Sequence, residues 1–345
     1  MAAVTKAPSI VVRAAKSDEG RTIAGLWREL WDAHEAWGGY AGTRDPRIYD
    51  QLAQRLSDDA RVRGGQPVLG RHIHLVAHTA EGVVGQVEGW FERHGIDEAT
   101  PYTCEVRSLI VSSRARTRGV GRALLDELAR VARQMSRGAP VIMAAEVLEP
   151  NPAHAFYAKV GYAPVSWTAR IRTEGAVEPP AGEPYLARPA TPNDALAIAM
   201  LDPALAERRR AQGDIRFDRP RAVDATFVGA LAAHLARPLG ALDQCEVVVV
   251  DRRDVVRASA SLTVMSLDPP FVPARRGLLG RFAVDPAVDP QPLVGPLVRL
   301  GRRLALLRGA ATLELTDLDP PRGPLHAGAL AAGAVPWSRI VERWA

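Results

Sequence analysis

Lysine is close to absent from this chain. It stands at Lys6, Lys16 and Lys159, so arginine carries nearly all the positive charge, and the arginines are scattered instead of run together. Such a chain lacks the basic tract of a nucleic-acid-binding tail. Cysteine is as scarce: Cys104 and Cys245 lie far apart, which excludes a disulfide framework and the paired spacing of a zinc site, and predicts two buried thiols. No apolar run is long enough to cross a bilayer. The opening segment MAAVTKAPSIVVRAAK lacks the basic region, apolar core and small-residue cleavage site of a secretory signal, so a cytoplasmic chain with neither membrane nor nucleic acid as partner is expected.

What is present is an ordinary globular composition, 47% hydrophobic and 24% charged, in 345 residues, which is long for one domain and comfortable for two. The net charge of +5 suits a small polyanionic ligand, though it suits many others equally. The segment TEGAVEPPAGEP, Thr173 to Pro184, is rich in Pro, Gly and Glu with little to bury, as a linker is. On either side of it the chain reads twice. IVVRAAKSDEG at Ile10 to Gly20 resembles YLARPATPNDA at Tyr185 to Ala195, the strand pair around His74 to Trp90 resembles Val247 to Val264, and GYAPVSW at Gly161 is echoed by GAVPWS at Gly333. Three matches at an offset of about 173 residues predict a first domain over 1–172, a linker over 173–184 and a second copy over 185–345. Each unit reads as mixed α/β, with a strand at Cys104 to Val111, a helix at Gly121 to Ser136, a strand at Pro140 to Leu148 and a helix at Pro152 to Val160 in the first.

The strand EVRSLIV runs through SSRARTRGVG into a helix whose apolar positions Val120, Leu124, Leu128, Val131 and Met135 recur at helical spacing. The run Arg116, Thr117, Arg118, Gly119, Val120, Gly121, Arg122 therefore sits at a helix N-terminus. There the first N–H groups lack intrahelical partners and carry the positive end of the helix dipole, a site for a pyrophosphate. Gly119 and Gly121 would let backbone and phosphate approach without a Cβ between them. The bare pattern is poorly specific, and an ordinary strand-to-helix turn is the plain alternative. Its context, with a second element NPAHAFYAKVGY thirty residues on, is what gives it weight.

These residues resemble the GNAT superfamily of N-acetyltransferases, whose acetyl-CoA motif is Arg/Gln-x-x-Gly-x-Gly/Ala after an apolar strand and whose later pattern of Asn, Ala, Phe-Tyr and Gly-aromatic is similar to Asn151 to Tyr162. The resemblance implies two tandem GNAT-like units, each a mixed, mostly antiparallel twisted sheet flanked by helices, and acetyl-CoA as co-substrate with no metal. It implies that Leu109, Ile110 and Val111 offer backbone groups to the pantetheine arm and thioester, that Asn151 and Phe156 flank the cofactor, that Glu105, fourteen residues before Gly119, is a general base, and that Tyr157 protonates the CoA thiolate. Read from the residues alone, Glu105 is equally a solvated strand carboxylate, Tyr157 a core aromatic beside Phe156, and Asn151 the N-cap of a helix opened by Pro152. His72, His74 and His78 have no carboxylate or thiolate at a supporting spacing and read as half-buried strand histidines.

The acceptor side is expected from the first helical region, with Trp31, His34, Trp37 and Tyr40, and from Glu88 on a hairpin strand. Some of these aromatics belong to the core, and an acidic pocket would favour cations. At the repeat offset the second copy places Asp289, Gln291, Pro292 and Val294 where the first has Arg116, Arg118, Gly119 and Gly121, and small residues replace Phe156 and Tyr157. Proline removes an N–H and aspartate repels phosphate, so one acetyl-CoA site per chain is expected, the second copy serving as a built-in dimer partner. The function so read is N-acetylation of a primary amine on a small molecule by direct attack in a ternary complex, by a monomer with an internal pseudo-dimer or by a homodimer. Acetylation of protein lysines or N-termini, and a non-catalytic CoA-binding sensor, are the alternatives.

Overall fold

The computed structural model describes residues 10–38, 46–93, 101–175, 182–214, 223–237, 244–266 and 275–345. The first half runs β1 (Val11–Ala14), α1 (Gly20–Ala36), α2 (Pro46–Arg63), β2 (Val68–Leu69), β3 (His72–Thr79), β4 (Gly82–Arg93), β5 (Tyr102–Val111), α3 (Val120–Met135), β6 (Val141–Leu148), α4 (His154–Lys159) and β7 (Ala163–Arg172). The second runs β8 (Leu186–Pro189), α5 (Ala195–Ala211), α6 (Ala225–Leu235), β9 (Gln244–Val250), β10 (Val256–Met265), β11 (Arg276–Val284), α7 (Gln291–Leu307), β12 (Thr312–Leu318), α8 (Pro324–Ala331) and β13 (Val335–Trp344).

The repeat seen in the sequence has a structural counterpart at each start. Arg13 pairs with Glu19 at 2.5 Å while Glu19 accepts from the Lys16 N–H. Arg188 pairs with Asp194 at 2.7 Å while Asp194 accepts from the Thr191 N–H. In both copies a strand arginine and a carboxylate at the third position after the cap close the same turn, a charge-assisted capping box.

Adjacent strand residues face different helices. Leu75 is buried with Leu124 and Leu128 of α3, whereas Val76 is buried with Ile23 of α1 and Leu52 of α2. The second half repeats this, Val247 packing with Leu297 of α7 and Val248 with Ile198 of α5. A sheet buried on both faces explains the apolar runs of its strands. Glycines set the spacing: a Cβ on Gly85 would lie 3.2 Å from Leu124, and one on Gly89 would lie 2.7 Å from Leu128, so α3 seats directly on β4. Truncating Leu128 in that contact costs on the order of 2–5 kcal/mol.

The halves do not close separate sheets. One 13-stranded sheet runs in the order β1-β3-β4-β5-β6-β13-β7-β12-β11-β10-β9-β8, with β2 beside β3. Pairing is antiparallel except between β5 and β6 and between β11 and β12. The last strand of each half has crossed to the other: β13 pairs with β6 and β7 pairs with β12, the two meeting in the middle. The strand that covers the outer edge of β6 thus comes from the far end of the chain.

Candidate active site

β5 and β6 pair only from Tyr102 opposite Val141 to Val106 opposite Ala145, and then part. The parting begins where a bulge in the β4–β5 ladder, between Glu88 and Gly89, leaves Arg107 without a partner in register and bends β5. Beyond it Leu109, Ile110 and Val111 line a cavity of about 720 Å³ that reaches from Trp37 of α1, past the strand, to the α3 N-terminus and α4. This brings together Arg116, Thr117, Gly119, Val120, Gly121, Arg122, Asn151 and Phe156 with the strand residues.

The α3 terminus is built to stay open. Gly119 is its N-cap at φ 84°, a left-handed backbone that only glycine adopts without strain, and it brings no side chain to the first N–H groups. Those donors are left for an anion, and the guanidinium of Arg122, 3.5 Å from the Lys159 carbonyl, adds positive charge at the mouth. Arg116 reaches back to the Val111 carbonyl at 3.2 Å. Donor set and charge fit a pyrophosphate. Two expectations change. Arg118 faces Glu81 at 3.4 Å and is not part of the cavity wall. Gly121 is small for packing as well: a Cβ there would meet the Phe156 ring at 3.1 Å, so this glycine, on the cavity wall, also seats α4 against α3.

α4 is shorter than the sequence suggests. Its helical pattern begins at His154, and the Asn151 side chain accepts from the Ala153 N–H at 2.9 Å, an Asx turn on the cavity wall ahead of the helix. Tyr157 is not brought to that wall. Its ring lies in the core between Phe156 and Tyr162, and burial holds the phenol well above its ordinary pKa. The structure gives it the packing role, while Phe156 faces the cavity.

Glu105 is half exposed, paired with Arg107 at 2.9 Å, and also off the cavity wall. Of the acceptor residues, Trp37 lines the cavity, with His34 5.5 Å from its ring. Trp31 is buried beside Trp27. Burial lowers His34 to a pKa of about 4, so it is neutral at neutral pH. Tyr40 lies outside the described residues. Glu88 is buried away from the cavity, its carboxyl raised by burial, 3.9 Å from His72 and hydrogen-bonded with Ser108. It ends a polar chain in which His74 meets Gln86 at 2.8 Å and Gln86 donates to Ser108 at 3.0 Å. His72 in turn meets Arg63 at 2.7 Å.

Glu29 escapes the sequence motifs: it stands on the cavity wall, accepts from the Ser113 N–H at 3.1 Å and ties α1 to the loop, while Lys159, inside the second motif, stands on the wall as well. Glu146, off the wall but on the strand that parts from β5, also escapes them; it is the lone carboxylate of VIMAAEVL and accepts from Ser338 Oγ of β13 at 2.6 Å. A charged residue inside an otherwise buried strand was the available signal.

In the second half the corresponding space is filled. Asp289 takes the Gln291 N–H at 3.0 Å, Pro292 has none to offer, and α8 sits directly on the α7 terminus, where a Cβ on Gly328 would lie 2.8 Å from Val294 and from the Gln291 carbonyl. Arg208 of α5 donates to the Phe282 carbonyl at 2.6 Å, occupying the splayed strand itself.

Residues 26–162 match the model of the acetyltransferase (GNAT) family. No curated protein sequence matches the chain. Among solved structures, a GCN5-related N-acetyltransferase from Sphaerobacter thermophilus is 14% identical with a TM-score of 0.57, over 97% of this chain and 95% of that one. The glucosamine N-acetyltransferase region of a fungal multi-domain GH3 β-N-acetylglucosaminidase is also 14% identical, with a TM-score of 0.52 over 98% of this chain and 38% of that one. At such identity these two likenesses concern the fold. The parted strands and the open helix terminus fall within the same stretch, residues 26–162, that matches the acetyltransferase (GNAT) family, and it is for this stretch that the match holds.

Proposed function

We propose that the chain transfers an acetyl group from acetyl-CoA to a primary amine of a small molecule, by direct attack in a ternary complex. The observation that carries this reading is the single cavity running from the open α3 terminus, between the parted strands, to Trp37. Diphosphate would rest on the Thr117 to Gly121 backbone with Arg116, Arg122 and Lys159 around it, the pantetheine arm would lie along Leu109 to Val111, and the thioester would emerge on the α1 side. The chain just past α1 meets the exchanged strand β7 there, the Gly38 carbonyl accepting from Arg170 at 3.5 Å, which leaves a walled acceptor space suited to a small molecule. The shared central sheet favours a monomer with an internal pseudo-dimer.

Isothermal titration with acetyl-CoA and an amine screen read by thiol release test this directly. One binding event per chain and thiol release with a small amine are expected. Absence of both overturns the proposal, and turnover confined to protein lysines or N-termini replaces its acceptor class.

A further inference from the structure

Glu146 is the first residue of β6 past the last β5–β6 pair, and it alternates with Ala145 and Val147, which are buried in the core under α3. Its side chain therefore points to the opposite face, the one covered by α1, at the point where the strands open. Register puts Ile340 beside it and brings Ser338, Glu342, Arg170 and Glu314 onto the same face. Glu314 is already held by Arg170 at 2.6 Å and Arg276 at 3.3 Å, and Glu105 is held by Arg107. Glu146 has no ion pair among the described residues; it has the Ser338 hydroxyl. The Glu146 residue is exposed to solvent, yet the protein around its carboxyl, with Glu314 and Glu105 nearby, raises its pKa against the lowering by Ser338 and Arg276.

We propose that Glu146 is the general base of the reaction and that Ser338, from the other copy, is its positioning residue. The proposal rests on the acetyltransferase reading above. The acceptor ammonium gives one proton to the Glu146 carboxylate. The freed lone pair forms the C–N bond at the thioester carbon, the C–S bond breaks, and sulfur leaves with its electron pair. The second nitrogen proton passes to that thiolate, and Glu146 returns the first to water, so that ammonium plus acetyl-CoA yields amide, CoA thiol and one proton. A carboxylate whose pKa is raised is a stronger base than an ordinary one, which suits it to this task.

The test uses the full chain, acetyl-CoA, and benzylamine, glucosamine and spermidine as probe amines. Glu146→Gln should lose about 100-fold or more in kcat while acetyl-CoA affinity stays within about threefold. In the wild type kcat/KM should fall on the acid side. Ser338→Ala removes a donor to the carboxylate, so that limb should move to higher pH, and Ser338→Thr should restore it. Carboxyl ¹³C resonances of glutamate-labelled protein, with Glu146→Gln for assignment, give a second readout: the Glu146 signal should respond to acetyl-CoA whether or not a probe amine is turned over. An unchanged rate in Glu146→Gln, an acid limb that follows Glu105→Gln instead, or a Glu146 signal unmoved by acetyl-CoA overturns the proposal. A wild type that binds no acetyl-CoA overturns the acetyltransferase reading itself, and this proposal with it.

Discussion

The start of α3 and the start of α7 occupy corresponding places in the two halves, and nearly every feature that could differ between them does. At α3 the cap is a glycine in the left-handed region, no side chain covers the first amides, and α4 packs through Phe156 on Gly121. At α7 an aspartate and a proline use up or delete those amides, small residues let α8 close down, and Arg208 takes a backbone acceptor in the splayed strand. The sheet is the same, so a parted pair of strands is not what makes a cofactor site. The site exists where the fold leaves backbone donors unused.

Making the first half like the second should have the largest effect. Gly119→Pro imports the residue found at the repeat offset, and its fixed negative φ cannot reach 84°. Titration calorimetry should show acetyl-CoA affinity down by about a thousandfold, roughly 4 kcal/mol. Next comes acid stability, because the first half buries His74 in a neutral state. Burial lowers its pKa from 6.5 to about 4, so its folded state resists protonation: the stabilisation is present above pH 6.5 and is lost as pH falls toward 4. It amounts to ~3 kcal/mol, and His74→Gln should flatten Tm against pH in that window. In the second half Gly328→Ala forces a Cβ against Val294 and should cost about 2 kcal/mol in denaturant unfolding with acetyl-CoA binding untouched. Smallest is Lys159→Ala, which removes a charge at the cavity mouth and should weaken acetyl-CoA about tenfold by the same titration.

Local features were legible in the sequence. Gly119 marked a helix terminus because left-handed backbone and open amides both select glycine there, and the periodic Val120, Leu124 and Leu128 gave α3 to within a residue. The prolines around α7 announced the lost site for the same reason. What stayed hidden depends on contacts between distant residues. Gly121 matches the motif, yet its smallness serves Phe156, which only the packing of α4 shows. Tyr157 and Phe156 are neighbours of similar type, and which of them faces the cavity is set by the helix orientation against Tyr162. Glu146 belongs to no motif and gains its setting from Ser338, 192 residues away.

The placement of β13 between β6 and β7 also bears on how the molecule comes into being. A ribosome releases the glycine loop, the cavity walls and β6 long before it adds residues 335–344, and until then β6 has an open edge where β13 belongs. The first half is therefore held waiting during synthesis, exposed to mispairing and to chaperones, and the order of translation delays its completion. For the same reason neither copy can be discarded by gene deletion without taking a strand out of the other, so a half that has lost its own site is retained.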